Sequence, residues 1–213
     1  MFLSKSFLFG LVVLFGGIAS GGPAAAQDAA LATPPVAPDP AECRVEPRPA
    51  DLFDQLATAP ADAAATPTVA QSPTPFLLPA GDPPPADAEA AAVATVREVI
   101  ACRNAGDAGR LAALYTDTYL ARLAALPPEE RGPLATFGQE ANPVPEESRI
   151  TLLLVEEVRS LADGVGVLVS IDDPATEIGG PERLFAVLRE EGGRYLIDEE
   201  TYPDAGSVAT PPA

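Results

Sequence analysis

The chain contains no histidine and no tryptophan, and its single lysine is Lys5. A histidine general base, a histidine metal ligand and a Schiff-base lysine beyond Lys5 are therefore excluded. Basic residues are scarce as well, since 13 Lys and Arg stand against 31 Asp and Glu, for a net charge of −18. A chain this acidic repels nucleic acid and anionic lipid surfaces, so neither is expected as a partner.

The first 26 residues have the pattern of a secretory signal. Lys5 supplies the positive start, residues 7–19 are apolar, and three consecutive alanines end at Ala26, before Gln27. The apolar run is shorter than the roughly 20 residues that a membrane span needs. We therefore predict a secreted or extracytoplasmic protein, cleaved after Ala26 and not stably inserted in a membrane, with an uncleaved anchor as the alternative.

Two stretches, 27–42 and 58–85, are rich in Ala, Pro and Thr and contain few large apolar side chains. Such segments cannot bury enough surface to offset the entropy of ordering, and they are predicted to be disordered linkers. Phe76-Leu77-Leu78 is the exception and is apolar enough to dock on a folded domain. The predicted division is a signal peptide at 1–26, a linker at 27–42, a short arm at 43–57, a linker at 58–85, a folded domain at 86–202 and a flexible tail at 203–213.

The arm between the two linkers contains one of the two cysteines, Cys43, and the other is Cys102. In an exported protein an even pair argues for a disulfide bond, with two free buried thiols as the alternative. The apolar residues of the arm at helical spacing are Leu52, Phe53 and Leu56. We therefore predict a short helix, partly buried and held by the disulfide against the C-terminal end of the next helix.

Three helices are predicted in the first half of the folded domain. The longest spans 87–103 and ends before Gly106, and two shorter ones are capped by Asp107 and Thr116. The apolar stripe of the long helix comprises Ala92, Val93, Val96, Val99 and Ile100. The inward residues of the two shorter helices are Leu111, Leu114 and Tyr115, and Tyr119, Leu120 and Leu123.

The stretch 149–199 is predicted to form strands, with hairpin turns at Asp163-Gly164 and at Glu191-Gly192-Gly193. The alternation over 165–171 places Val165, Val167, Val169 and Ile171 on one face. The apolar run 150–155 predicts a strand covered on both faces, and Glu156-Glu157 predicts a bulge or a sheet edge. In the last hairpin we expect Leu188 opposite Tyr195, and Asp198 across from Phe185.

The order of helices, loop and strands, together with the last hairpin, resembles the nuclear-transport-factor-2-like (NTF2-like) superfamily in its SnoaL-like branch. In the hairpin the matching residues are Phe185, Val187, Arg189, Glu190, Gly193, Tyr195 and Ile197. The resemblance covers about residues 86–202. It implies an α+β cone, in which a curved, mostly antiparallel sheet wraps around the long N-terminal helix and leaves a pocket at its open end.

Candidate site residues follow from this resemblance. The aromatic residues expected to line a pocket are Tyr115, Tyr119, Phe137, Phe185 and Tyr195, although an aromatic in such a cone is more often part of the core. Catalysis in the superfamily uses a carboxylate or histidine base with a tyrosine or acid donor. The pairing available here is Asp198 with Tyr115 or Tyr119, unless Asp198 lies in water at a strand end.

Neither metal-ligand spacing nor a phosphate-binding loop is present, so no metal and no cofactor are predicted. Acidic clusters such as Asp172-Asp173 lack the loop pattern of a calcium site, and we interpret them as solvated turns and strand ends.

The function expected is that of an exported, non-enzymatic binding or interaction domain with an apolar pocket. The alternatives are a SnoaL-like isomerase, hydrolase or cyclase and a structural spacer domain of the cell envelope. The partner expected is a small apolar ligand or a protein, and a homodimer through the sheet is a further candidate.

Overall fold

The computed structural model describes residue 35 and residues 37–57, 76–176 and 180–203. The predicted signal peptide, most of both predicted linkers and nearly all of the predicted tail lie outside these residues. The helices are α1 (Leu52–Ala57), α2 (Ala86–Ala105), α3 (Ala108–Ala112) and α4 (Asp117–Ala124). The strands are β1 (Thr151–Leu161), β2 (Gly164–Asp172), β3 (Glu182–Glu191) and β4 (Arg194–Thr201). No helix among the described residues is long and apolar enough to cross a bilayer.

The four strands form one open antiparallel sheet in the order β1-β2-β3-β4. The turn between β3 and β4 is Gly192-Gly193, and both residues have positive φ (60° and 79°), as a two-residue hairpin of this type requires. Beyond β4, the backbone of Tyr115 forms an isolated parallel bridge with Ile197. The fold is therefore α+β, as predicted.

The inner face of the sheet packs against α2, which contacts β1, β2 and β4. Val165, Val167, Val169 and Ile171 all belong to the core, whereas Leu168 between them is buried outside it, so the predicted alternation of β2 is confirmed. From α2, the predicted stripe supplies Ala92, Val96, Val99 and Ile100 to the core, whereas Val93 is only half-buried. This layer of helix on sheet is the hydrophobic core of the domain.

Local capping signals set the ends of the helices. The carboxylate of Asp107 accepts the N–H of Arg110 at 2.9 Å, and the hydroxyl of Thr116 accepts the N–H of Tyr119 at 3.1 Å, as predicted. Helix α2 runs two residues beyond its predicted end at 103. It ends at Gly106, whose φ of 59° is left-handed, and a Cβ there would lie 2.0 Å from the carbonyl oxygen of Asn142.

The arm is docked on α2 by a covalent bond and by polar contacts. The Sγ atoms of Cys43 and Cys102 lie 2.04 Å apart, which confirms the predicted pairing. One carboxylate oxygen of Glu98 accepts the N–H groups of Arg44 and Val45, at 3.1 and 2.9 Å. In α1, Leu52 and Phe53 are buried and Leu56 is half-buried, again as predicted.

The ordered arm begins earlier than the predicted boundary at residue 43. Pro38 is buried, and its carbonyl accepts a hydrogen bond from Nδ2 of Asn104 at 3.1 Å. A 3₁₀ turn at Pro40–Glu42 follows, and Glu42 forms an ion pair with Arg97 at 2.7 Å. Contacts with α2 therefore order the end of a stretch whose composition predicts a linker.

The residues before α2 form a strap, residues 76–85, that reaches the outer face of the sheet. The ring of Phe76 packs on that of Phe185 with centroids 5.5 Å apart, so the predicted docking of this segment is confirmed. The carbonyl of Asp82 accepts the N–H of Ser160 in β1 at 2.7 Å. Leu77 nevertheless remains 80% exposed.

Three details of the sheet differ from the expectations. The predicted register of the last hairpin is wrong, because Leu188 lies opposite Ile197 rather than Tyr195. A shift by two residues keeps the same side chains on the same face. Phe185 lies across from Thr201, not from Asp198. The two-residue shift of register accounts for two of these three positions, and a one-residue bulge in β4 that was not predicted accounts for the third.

The third difference concerns β1, which is not covered on both faces. Its residues Leu153 and Leu154 are only half-buried because β1 forms an edge of the sheet. The predicted irregularity is confirmed, since the β1–β2 register shifts between Val155 and Glu157 and once more before it.

Candidate functional site

A carboxyl group, that of Glu200, points to the inner face of the sheet near the end of β4. It does so because β4 contains one extra residue. Leu188 of β3 pairs with Ile197, whereas the residue before it in β3, Val187, pairs with Glu199. Asp198 is the residue without a partner in the ladder. Strict alternation from the buried Ile197 would have turned Glu199 inward and Glu200 outward.

Two tyrosine hydroxyls donate to the carboxylate of Glu200. The hydroxyl of Tyr115 lies 3.0 Å from Oε1 and that of Tyr119 lies 3.4 Å from Oε2. The two rings are stacked with centroids 4.8 Å apart, and Arg122 covers Tyr119 with its guanidinium carbon 5.4 Å from the ring centroid. Tyr115 is buried, whereas Tyr119 and Glu200 are half-buried.

The surroundings shift the titration of all three groups in the same direction. Burial raises the pKa of Glu200 above its ordinary value, although the charge of Arg103 and the hydrogen bonds from the two tyrosines oppose the change. Burial and the charge of Glu200 also raise the pKa of Tyr115 and of Tyr119. The tyrosines therefore stay protonated as donors, and the carboxyl takes up a proton more readily than a glutamate in water.

Arg103, in the last turns of α2, connects this group to the end of β2. Its Nη2 lies 3.0 Å from Oδ2 of Asp173, and both side chains are largely buried. Its pKa is raised although burial alone would lower it, because the groups around it include Tyr202, Tyr115, Glu200 and Asp173. Tyr202 lies near Arg103, and burial raises the pKa of its phenol although the charge of Arg103 opposes the change. We call Glu200, Tyr115, Tyr119, Tyr202 and Arg103 the carboxyl–tyrosine cluster.

A cavity of about 240 Å³ lies on the other side of Arg103. Arg103 and Asp173 contribute to its polar wall, and Leu111, Val144 and Ile150 contribute to its apolar wall. Cavities that hold drug-sized ligands are mostly larger, on the order of 300 to 1,000 Å³. A small molecule with an apolar body and one polar group is the kind of ligand that such a cavity can enclose.

Asp198 is buried, as an active carboxylate should be, but it does not face the tyrosines. Its Oδ1 accepts the hydroxyl of Thr116 at 2.7 Å and its Oδ2 accepts Nε of Arg189 at 2.6 Å. Burial alone would raise the pKa of Asp198, but the hydrogen bonds from Arg189 and Thr116 and the nearby arginine charges outweigh it and lower the pKa. An ionised, fully engaged carboxylate of this kind is suited to holding structure rather than to exchanging protons.

The five aromatic candidates occupy four different places. Tyr115 and Tyr119 meet at Glu200, whereas Phe137 packs edge-on against Phe53 of the arm with centroids 4.7 Å apart. Phe185 lies on the outer face under the strap. Tyr195 is half-buried on the inner side and lines an open cleft near the hairpin turns. The structure therefore brings only the two tyrosines together.

Three members of the cluster were not among the predicted site residues: Glu200, Tyr202 and Arg103. In the sequence, Asp198-Glu199-Glu200 has the pattern of a solvated strand end, and Arg103 lies at the predicted end of a helix. No local pattern marks Glu200, because its direction depends on the bulge. The cluster of tyrosines in 115–119 was the one signal available, and it did identify two of the partners.

The fold and the cluster define an α+β domain with an open four-stranded antiparallel sheet and a half-buried carboxyl that accepts hydrogen bonds from two tyrosines. Comparison of the chain with protein-family models, with curated proteins and with solved structures found no match. Any functional assignment therefore depends on the chemistry of the cluster and the cavity.

Proposed function

We propose that this chain is an exported small-molecule-binding domain with an NTF2-like cone. The observation that carries the proposal is the cavity of about 240 Å³ beside Arg103 and Asp173. The ligand is smaller than a typical drug and places its apolar part against Leu111 and Ile150. Its polar group lies towards the Arg103–Asp173 ion pair.

The architecture supports an NTF2-like arrangement. A 20-residue helix packs on the inner face of an antiparallel sheet, and bulges in β1 and β4 give such a sheet the means to curve. The cavity lies at the C-terminal end of that helix. Export is supported by the disulfide, since such bonds persist in oxidising compartments, and by the signal pattern of residues 1–26.

The test is native mass spectrometry of the exported protein, which should carry a small molecule that denaturation releases. Ala175 is exposed on the rim of the cavity, so Ala175→Trp should block entry without disturbing the core. The matched control is Ala90→Trp, at an exposed position on α2 that does not line the cavity. Loss of the ligand in the first variant alone supports the proposal. A wild-type protein without ligand, or equal occupancy in both variants, contradicts it.

A second candidate, an enzyme of the SnoaL-like type, is favoured by the carboxyl–tyrosine cluster. A general base or acid works best when its pKa approaches the working pH, and burial moves the pKa of Glu200 in that direction. Tyr115 and Tyr119 would supply the hydrogen-bond donors that stabilise a charge developing on an oxygen of the substrate. The reaction would be an isomerisation, hydrolysis or cyclisation that moves a proton.

The enzyme is tested with the molecule retained by the purified protein and close analogues of it. Glu200→Gln should abolish turnover while the protein still binds the molecule, because the amide cannot exchange the proton. Glu199→Gln, one residue away on the solvent side, is the matched control. Equal turnover by wild type and Glu200→Gln would exclude this role for Glu200. A protein that neither retains a ligand nor turns one over would leave the spacer domain as the remaining candidate.

A further inference from the structure

The bulge in β4 decides which carboxylate enters the interior of the domain. Three acidic residues follow one another here, and the extra residue at Asp198 turns Glu200 rather than Glu199 inward. Tyr202, two residues further, is turned to the same side by the same shift. We propose that Asp198 is the positioning residue of the carboxyl–tyrosine cluster: by holding the bulge in place, it aims Glu200 at Tyr115 and Tyr119.

Asp198 is held from three directions. Thr116 donates its hydroxyl to Oδ1 at 2.7 Å, and Arg189, on the neighbouring strand, donates Nε to Oδ2 at 2.6 Å. The guanidinium of Arg122, on α4, donates to the main-chain carbonyl of Asp198. The residue is 8% exposed, so water competes little with these contacts. A bulged residue with this many partners does not easily return to the regular ladder.

Thr116 connects the bulge to the helix that carries one of the tyrosines. While its hydroxyl donates to Asp198, the same oxygen accepts the N–H of Tyr119 and caps α4. The N–H of Thr116 also bonds the carbonyl of Ile197 at 2.9 Å, and the N–H of Ile197 bonds the carbonyl of Leu114 at 2.8 Å. Tyr115 lies between these two bonds. Glu200 and both tyrosine donors are therefore positioned from one point in the fold.

The position of Glu200 has an observable consequence, because the groups around it set its titration. Arg103 approaches it from α2, Tyr115 from the segment before α4, and Tyr119 from α4 itself. Of the other charged groups, Asp173 at the end of β2 is paired with Arg103, and Arg122 lies against Tyr119. If the bulge relaxes, Glu200 turns to solvent and leaves all of these groups.

An effect of Asp198 on catalysis rests on the second candidate function, that of an enzyme. The effect of Asp198 on the position of Glu200 does not depend on it, because the titration of Glu200 is measurable without any substrate. The absence of an enzyme activity would not contradict the role of Asp198 in positioning Glu200. Equally, an unchanged titration of Glu200 would not exclude an enzyme activity.

The experiment is a carboxyl ¹³C NMR titration of the exported protein, with the Glu200 signal assigned by its loss in Glu200→Gln. In the wild type we expect the Glu200 signal to titrate above the range of a glutamate in water. In Asp198→Ala it should move down towards the ordinary value. In Asp198→Asn, which keeps an acceptor for Thr116 but loses the charge that faces Arg189, the shift should be smaller.

Three further variants, at two positions, separate the effect of the bulge from a general loss of charge or structure. Asp163 is another carboxylate near Arg189, at 4.0 Å, and it is largely exposed. Asp163→Asn should therefore leave Glu200 unchanged. Thr116→Ser keeps the hydroxyl and should behave as wild type, whereas Thr116→Val should resemble Asp198→Ala.

An unchanged Glu200 titration in folded Asp198→Ala would overturn the proposal. If Asp198→Ala does not fold, Asp198→Asn and Arg189→Gln take its place. In that case a Glu200 signal at the wild-type position in both variants overturns it, and a downward shift in both supports it. An equal shift in Asp163→Asn would also overturn it, because the effect would then come from charge alone.

Discussion

Removing the disulfide is the perturbation whose magnitude can be worked out most directly. Cys43 and Cys102 are separated by 59 residues along the chain, and the bond closes that loop in the unfolded state as well. In the chain-entropy model, a loop of this length contributes about 4 kcal/mol to the free energy of unfolding. We therefore expect Cys43→Ala/Cys102→Ala to be destabilised by up to about 4 kcal/mol.

The folded state should survive this change, because the arm has other contacts with the domain. Glu98 accepts two backbone N–H groups of the arm, Arg97 pairs with Glu42, and the ring of Phe53 packs on Phe137. The loss is therefore expected mainly through the greater entropy of the unfolded chain. For a domain of this size, roughly 2–4 °C per kcal/mol implies a fall in melting temperature of about 8–16 °C.

The assay is thermal and urea unfolding of the double variant and of the wild type, each with and without a thiol reductant. The reduced wild type should unfold near the double variant, and the reductant should not affect the variant. Equal melting temperatures for the oxidised wild type and the double variant would refute the reasoning. Because Cys102 also lines the cavity, ligand retention should be measured on the same samples.

Three other changes have expected outcomes. Because the pKa of Glu200 is raised in the folded state, its contribution to stability is present at pH values below about 4.5 and is lost as the pH rises through the folded pKa. In urea titrations, the wild type should therefore lose stability relative to Glu200→Gln as the pH rises over that range. A difference in stability that does not depend on pH would contradict the assignment. Asp107→Ala removes the cap that accepts the N–H of Arg110 and should cost about 1 kcal/mol of unfolding free energy, with no change if the cap is irrelevant. Gly166→Ala would place a Cβ 2.7 Å from Cζ of Phe185 and should cost about 1–3 kcal/mol, whereas a neutral result would mean that the ring moves freely.

Several features could be predicted because they depend on residues close together in the chain. Asp107 and Thr116 cap helices that begin at the next residue, and the alternation over 165–171 is a property of one strand. The pairing of the disulfide could be predicted because the chain has two cysteines, which allow one pairing within it. The docking of Phe76 could be predicted because a large aromatic side chain in a stretch of Ala, Pro and Thr gains most by burial.

The amino-acid sequence by itself therefore determined the α+β composition, the capped helices and the pairing of the cysteines, since each follows from local spacing or from a single available partner. Only the tertiary structure decided that Glu200, and not Asp198, meets the tyrosines. That choice depends on a one-residue bulge, and at the bulge Asp198 is hydrogen-bonded to Thr116, which is 82 residues away along the chain. Alternation alone does not decide which of three successive acidic residues faces inward. The bulge turns Glu200 inward, and contacts between segments this far apart in the chain do not follow from local spacing.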